Sequence, residues 1–352
     1  MVNEAISTSG RPSAAAARSA LVRALAMAVS ISESSEMPDA MAVAVPGKRS
    51  ASGPRPYHQV TFAELDRDSD QIAAGLHAMG IPAGSRLVLA VPPSIDFVTL
   101  VFALLKAGMV MVLIDPGMGR KNLLRCVEEV EPAGFVGIPL VHAMRVLFKR
   151  RFSQARHNVT VGRRWFWGGT TLKKLRQSAN QSFQPPQTSP DDPAAIIFTT
   201  GSTGPPKGVL YCHQNFCSQV DEIRDFYGIQ AGEIDLPGFP LFALFNSVMG
   251  VSTVIPDMDP TRPAEVDPKN IIDPVNQWGI TQAFGSPALW TTVGQHCEQT
   301  GDQMPTLKRV LSAGAPVPEH VLRRISQAIH PQGDIYTPYG ATEALPVAGR
   351  AD

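Results

Sequence analysis

Between Thr61 and Val130 the chain alternates amphipathic helical patterns with short apolar runs, and that alternation restricts it to few folds. The segment TFAELDRDSDQIAAGLHAM, residues 61–79, sets Leu65, Ile72, Leu76 and Met79 near helical spacing, with Gly80 as a stop. Next come Arg86 to Val91 as a strand, Ile95 to Ala107 as an apolar helix, Val110 to Ile114 as a strand and Asn122 to Val130 as a helix. Strands separated by helices lie parallel, and the helices cover both faces of the sheet they form. The expected fold class is therefore α/β, with mostly parallel sheets covered by helices. Asp115, Pro116 and Gly117 read as the turn after a strand, without a catalytic role.

A chain of 352 residues with 44% hydrophobic content can build one large core or two adjoining α/β units. Its formal net charge is zero, which gives no global attraction to nucleic acid or to an anionic membrane. Cys126, Cys212, Cys217 and Cys297 form neither a CxxC pair nor zinc-finger spacing, so free buried thiols in a reducing, cytoplasmic compartment are expected. No run approaches the roughly 18 uninterrupted apolar residues of a membrane span. Met1 to Arg55, rich in Ala, Ser, Gly and Pro, reads as a flexible leader, with order beginning near Tyr57. Inside it, residues 14–30 have helical character, and Arg23 interrupts what would otherwise be a signal-peptide core; an organelle-targeting leader is the alternative. The expected organisation is a leader over 1–55, a first α/β half over 56–190 and a second half over 191–352.

The run IIFTTGSTGPPKGVLY, residues 196–211, carries the chemistry. Ile196, Ile197 and Phe198 are a buried-strand signal, and Gly201, Gly204 and Gly208 let a backbone turn sharply and approach a ligand. Thr199, Thr200, Ser202 and Thr203 add hydroxyl donors and Lys207 a compact cation, a set suited to phosphate oxygens. The GxxxxGK[ST] phosphate loop is the nearest rival. It fails because Pro206 takes its second glycine position and Gly208 the hydroxyl position that would meet magnesium. A plain Gly/Ser/Thr linker is the bland alternative.

These residues resemble the phosphate loop of the adenylate-forming (AMP-binding) superfamily, which includes acyl-CoA synthetases, peptide-synthetase adenylation domains and luciferases. YTPYGATEALP at 336–346 is similar to that superfamily's YGxTE motif, and SAGAPVP at 312–318 to a third motif, all in family order. The resemblance implies activation of a carboxylic acid with ATP and Mg2+. The acid joins the α-phosphate, pyrophosphate leaves, and preplaced donors offset the charge that builds on the leaving group. Thr199, Thr200, Gly201, Ser202, Thr203, Gly204 and Lys207 would hold the β- and γ-phosphates, Thr342 the α-phosphate, and Glu343 the magnesium ion. Lys207, Thr342 and Glu343 are thus the catalytic candidates. Tyr339 would stack on adenine beside Gly340, with Gly314, Ala315 and Pro316 on the other face.

The acyl substrate is expected near PLFALFNSVMGV, residues 240–251, and GSPALW, residues 285–290, with Phe242, Phe245, Met249, Gly285 and Gly340 lining the pocket; ordinary core packing is the alternative for the apolar side chains. Ala243 stands where many fatty-acyl members carry a histidine. VLIDPGMGRKNLLRCVEEVEP, GFPLFALFNSVMG and PDMDPTRPAEVDP resemble the branch that makes β-lactones in bacterial long-chain olefin synthesis. There a 2-alkyl-3-hydroxy fatty acid is the substrate, and its own hydroxyl closes the ring, an intramolecular attack favoured by effective concentration. CoA is the acceptor in the acyl-CoA ligase alternative, and partner enzymes of olefin synthesis are implied. The family continues past YGxTE with a ribose-binding aspartate, a hinge and a small domain carrying a lysine, whereas this sequence stops at Asp352, so impaired adenylation is expected. A noncatalytic nucleotide-binding or partner-binding remnant is the third reading.

Residues 145–176 carry Lys149, Arg150, Arg151, Arg163, Arg164, Lys173 and Lys174 and no acid. A solvated face and a docking patch for a coenzyme phosphate, a carrier protein or a partner enzyme are both open readings. Trp165 and Trp167, flanking Phe166, either anchor that patch or pack into the core.

Overall fold

A computed structural model of the chain describes residues 38–49, 53–177, 184–199, 206–239, 242–342 and 344–348. Strands β1 (Met41–Pro46) and β2 (Tyr57–Thr61) lead into helix α1 (Phe62–Ala78). Then come β3 (Arg86–Ala90), α2 (Ile95–Lys106), β4 (Val110–Ile114), α3 (Arg120–Glu129), β5 (Gly134–Gly137), α4 (Pro139–Leu147), β6 (His157–Thr160), β7 (Thr170–Thr171), α5 (Leu172–Gln177), β8 (Pro193–Thr199) and β9 (Lys207–Cys212). The remainder is α6 (His213–Tyr227), β10 (Ile234–Pro237), α7 (Phe242–Val248), β11 (Ser252–Val254), α8 (Lys269–Trp278), β12 (Gln282–Gly285), α9 (Pro287–Thr300), β13 (Arg309–Ser312), α10 (Glu319–Ser326), β14 (Asp334–Tyr336), β15 (Tyr339–Ala341) and β16 (Ala344–Ala348).

Two seven-stranded sheets result, ordered β7-β6-β5-β3-β4-β8-β9 and β14-β13-β12-β10-β11-β1-β2, with β15 and β16 as a separate hairpin. Every pairing within the large sheets is parallel except β8–β9 and β1–β2 at their edges. This is the expected α/β class, and local chemistry explains the elements. Thr61 and Glu64 form a reciprocal capping box at the start of α1, and Gly80, at φ +70°, ends the turn beyond it. Phe62, Leu65, Ile72 and Leu76 of α1 join Leu100, Val101 and Leu104 of α2 in the core of the first sheet. Around the second sheet, Trp290 packs with Ile271, Val275, Val293, Val310 and Ile325. The predicted turn at Asp115 is a short 3-10 turn, with the Asp115 carboxylate accepting from the Gly117 N–H at 2.8 Å.

The leader expectation needs correction. Residues 41–46 form β1, whose Ala42, Val43 and Ala44 are fully buried between β11 and β2. A strand packed on both faces and flanked on both sides shows no alternation, so MAVAVP looked like low-complexity chain. The expected division at residue 190 is crossed in both directions as well. β1 and β2 belong to the sheet of the second half, and β8 and β9 complete the sheet of the first.

Candidate nucleotide and acyl site

The β8–β9 register pairs Thr199 with Lys207 and Phe198 with Gly208, so residues 200–206 connect the two strands at the carboxyl end of β8. Ligands of open parallel sheets bind at that end. Thr200, Gly201, Ser202, Thr203 and Gly204 lie outside the described residues; Thr199 is the last residue of β8, and Lys207 is exposed as the first of β9. Gly208 differs from its sequence reading. It sits within the strand, where an added Cβ would come 2.8 Å from Phe198 Cζ and 3.0 Å from Ile196 Cγ2. Its lack of a side chain accommodates the buried Phe198 ring, a packing requirement that no local pattern reveals.

The second motif is brought to the same hairpin. Ala341 pairs with Ala344, which leaves Thr342 at the tip of β15–β16; its neighbour Glu343 lies outside the described residues. The phenolic O–H of Tyr211, on β9, donates to the Thr342 carbonyl. Tyr211 is itself buried and stacked on Phe216, with ring centroids 5.2 Å apart. In a strand, residues four apart share a face and stand roughly 14 Å apart, so Lys207 and the Tyr211–Thr342 junction lie on one face of β9. Helix α6, which follows β9, also packs against β16. Sequence reading gave no role to Tyr211, the last residue of the 196–211 run, whose only signal was its place in the alternation of β9 after the loop.

The expected adenine walls leave neighbouring strand ends. β13 and β14 pair Leu311 with Tyr336; Gly314, Ala315 and Pro316 form an exposed turn just past β13, and Tyr339 is 71% exposed just past β14. Gly314 has φ +97°, a conformation that a side chain would strain. Gly340, the middle residue of β15, is half-buried beside Tyr339.

Among the acyl-pocket candidates, Met249 is a core residue packed with Val220, Tyr227, Ile229 and Val251. Half-buried Phe245 reaches both this cluster and the first-sheet core, 6.4 Å from the Phe216 ring. Phe242 opens α7, and its side chain, like Pro240 and Leu241, lies outside the described residues. At Gly285 an added Cβ would meet the Trp290 indole at 2.8 Å and Leu289 at 3.0 Å, so that direction faces the core, and only the backbone can line a pocket there. Below α7 lies a polar group that sequence reasoning did not find. Asp235 on β10 is buried, and its Oδ2 accepts from Asn246 Nδ2 at 2.6 Å, while the same nitrogen donates to Thr253 Oγ1 at 3.1 Å. Asp235 Oδ1 has no hydrogen-bond partner among the described residues, and burial pushes the carboxyl up to about 7.

The profile of the family described as AMP-binding enzyme matches residues 34–352, and the chain belongs to that family. It is 48% identical over 316 residues to an olefin beta-lactone synthetase of Stenotrophomonas maltophilia (strain K279a), covering 89% of this chain and 56% of that protein. A protein of the same name from Xanthomonas campestris pv. campestris is 47% identical over 315 residues, with the same coverage. A long-chain-fatty-acid--CoA ligase of Thermus thermophilus is 23% identical, covering 82% of this chain and 53% of that protein. The chain thus spans just over half the length of these relatives. Its fold is that of Mycobacterium smegmatis MbtA, at TM-score 0.76 and 22% identity over 90% of this chain and 57% of the other. It is also that of the long-chain-fatty-acid-CoA ligase FadD1 from Archaeoglobus fulgidus, at TM-score 0.77 and 18% identity over 91% and 64%. Among the described residues no group of three or more His, Cys, Asp or Glu could hold a metal ion, and no helix is long and apolar enough to cross a membrane.

Proposed function

We propose that this chain binds ATP and a fatty carboxylic acid as part of an enzyme that joins them into an acyl-adenylate. The tether from Tyr211 to the Thr342 carbonyl carries the reading, because it holds the hairpin bearing Thr342 against the strand that begins at Lys207. In the reaction, a carboxylate oxygen bonds to the α-phosphorus while the bond to pyrophosphate breaks. Lys207 and the hydroxyls of 199–203 would hold the β- and γ-phosphates, and Thr342 the α-phosphate. Exposed Tyr339 and the turn at Gly314, Ala315 and Pro316 would hold adenine. Glu343 would hold Mg2+, a hard cation suited to one carboxylate together with phosphate oxygens and water, and the ion would supply charge neutralisation. Phe242, Phe245, Met249, Gly285 and Gly340 would border the acyl chain.

The two relatives at 48% and 47% identity support a finer reading, in which the acid carries a 3-hydroxyl. That oxygen attacks the acyl carbon and releases its proton to solvent, AMP leaves with the bonding pair, and a β-lactone forms without CoA. The lactone would then pass to a partner enzyme in the cytoplasm. The test measures ATP binding by titration, together with carboxylate-dependent ATP–pyrophosphate exchange. Binding should weaken by about tenfold in Lys207→Ala, the effect of losing one charge-assisted contact. Absence of ATP binding sinks the proposal, and binding without any exchange supports the noncatalytic reading. Products from a 2-alkyl-3-hydroxy acid, with and without CoA, separate lactone from thioester.

A further inference from the structure

The acid-free stretch of the chain divides between two edges of the first sheet. No Asp or Glu occurs between Glu131 and Asp191. Lys149, Arg150 and Arg151 follow the end of α4, near the amino-terminal edge of the strands, where Arg151 pairs with Glu128 at 3.3 Å. Arg163 and Arg164 instead leave the carboxyl end of β6, and Lys173 and Lys174 begin α5 just past the carboxyl end of β7; all four are exposed. Arg176, on α5, engages Asp68 and Asp96 at 2.6 and 2.8 Å.

Within this basic edge, the segment 165–167 splits by depth. Trp167 is buried, its indole N–H donating to Thr160 Oγ1 at 3.0 Å and its carbonyl accepting from Arg145 Nη2 at 2.7 Å, and it stacks on His142 at 6.0 Å. Trp165 and Phe166 are held against it, with ring centroids 5.9 and 5.6 Å away, yet they remain 61% and 78% exposed. Leu140, 73% exposed, stands close to the same edge, just after β5. A fixed aromatic platform that leaves two large rings in water, beside cations drawn from an acid-free stretch of sequence, has the composition of a membrane-interface anchor. Indole and phenyl groups settle at the headgroup level, while Lys and Arg meet anionic lipid.

We propose that this edge docks on an anionic lipid bilayer, with Trp165, Phe166 and Leu140 entering the interfacial layer and Arg163, Arg164 and Lys173 meeting lipid phosphates. Charge complementarity selects the bilayer: the chain as a whole is neutral, and here its cations are segregated around apolar tips. The carboxyl end of β8 lies on the same edge, four strand spacings from β6, a span of roughly 19 Å. This inference stands independently of the acyl-adenylate reading, because its readout is binding alone.

The test is flotation of the chain with phosphatidylcholine vesicles, with and without phosphatidylglycerol, at low and high salt. The chain should float with the anionic vesicles, its tryptophan emission should shift to the blue, and added salt should release it. Trp165→Phe should keep the binding and lose most of the spectral shift. Trp165→Ser with Phe166→Ser should lower partition by about tenfold or more, since it removes both apolar tips. Arg163→Gln with Arg164→Gln should lower it by about fivefold per cation. Lys149→Gln with Arg150→Gln, at the opposite edge, should leave it unchanged. Circular dichroism and thermal unfolding establish that each variant folds, and Arg163→Gln with Arg164→Gln provides the test should the aromatic variant fail to. Failure of the folded parent to float, equal flotation by the edge variants, or equal loss from both basic pairs would each overturn the proposal.

Discussion

The phenolic O–H of Tyr211 donates to the backbone carbonyl of Thr342, a residue 131 positions further along the chain. That bond links two motifs from different parts of the sequence through Tyr211, the last residue of the 196–211 run, to which the sequence alone assigned no role. The ring supplying the hydroxyl is immobilised by its stack on Phe216, itself buried in the first-sheet core. The short hairpin bearing Thr342 therefore takes its position from the core of the first sheet.

Tyr211→Phe keeps the ring and removes only the donor. Loss of one such bond costs about 1 kcal/mol, so global stability should fall by little. The hairpin over 339–348 should open more often. Hydrogen exchange at its amides should quicken while that of β8 and α2 stays as in the parent, and unchanged exchange would show that other contacts hold the hairpin.

The sequence makes α1, α2, α3, β3 and β4 legible to within a residue or two, because each combines a clear period with a cap or a glycine stop. Features set by distant partners are not legible in this way. MAVAVP becomes a strand only because β11 and β2 flank it. Trp165 and Trp167 share a local pattern, and only Thr160, Arg145 and His142 decide which of them is inside. In the candidate site, the glycines and hydroxyls of the phosphate loop could be read as a ligand cradle, whereas the role of Gly208 depends on the Phe198 ring across the hairpin. Asp235, set in IDLPG, looks like a surface turn acid until β11 and β12 enclose its strand.

Asp235 should make stability depend on pH. Its folded value is raised to about 7 from an ordinary 3.8, so the folded state holds its proton more tightly than the unfolded chain does. The favourable contribution is therefore fully present below about pH 4, fades as pH rises, and is gone above about pH 7, a change of up to ~4 kcal/mol. His142 and His213, whose burial lowers their affinity for a proton, act in the opposite sense, adding stability above the ordinary histidine value that is lost on acidification. Comparison with Asp235→Asn isolates the carboxyl. Urea unfolding between pH 4 and 8 should show the difference in stability, parent minus variant, falling as pH rises, and a constant difference would contradict the assignment.

Gly208→Ala should destabilise through crowding. The new methyl would stand 2.8 Å from Phe198 Cζ and 3.0 Å from Ile196 Cγ2, a degree of overpacking that costs about 1–3 kcal/mol. A role confined to ligand approach predicts weaker ATP binding at unchanged stability. Phe198→Leu removes the far end of the ring, so the double variant should recover part of the loss relative to Phe198→Leu alone. A double-mutant cycle by thermal unfolding decides between the two roles.

Lys106 should be the most sensitive charged position between α1 and α2. Its side chain is 2% exposed, and its ammonium group reaches Asp66 Oδ1 and Asp70 Oδ1 at 2.6 Å each, with the Asp66 carbonyl at 3.1 Å, so three donors meet three acceptors. Lys106→Ala removes the charge and also empties the space of a long buried stem. The expected loss is ~3 kcal/mol, the low end for a broken buried pair because the Asp70 side chain is 54% exposed. Lys106→Met retains most of the stem and should lose about half as much. Urea denaturation of the two variants separates packing from charge, since equal losses would mean that the ion pairs alone matter and a near-parent methionine variant would mean that they contribute little.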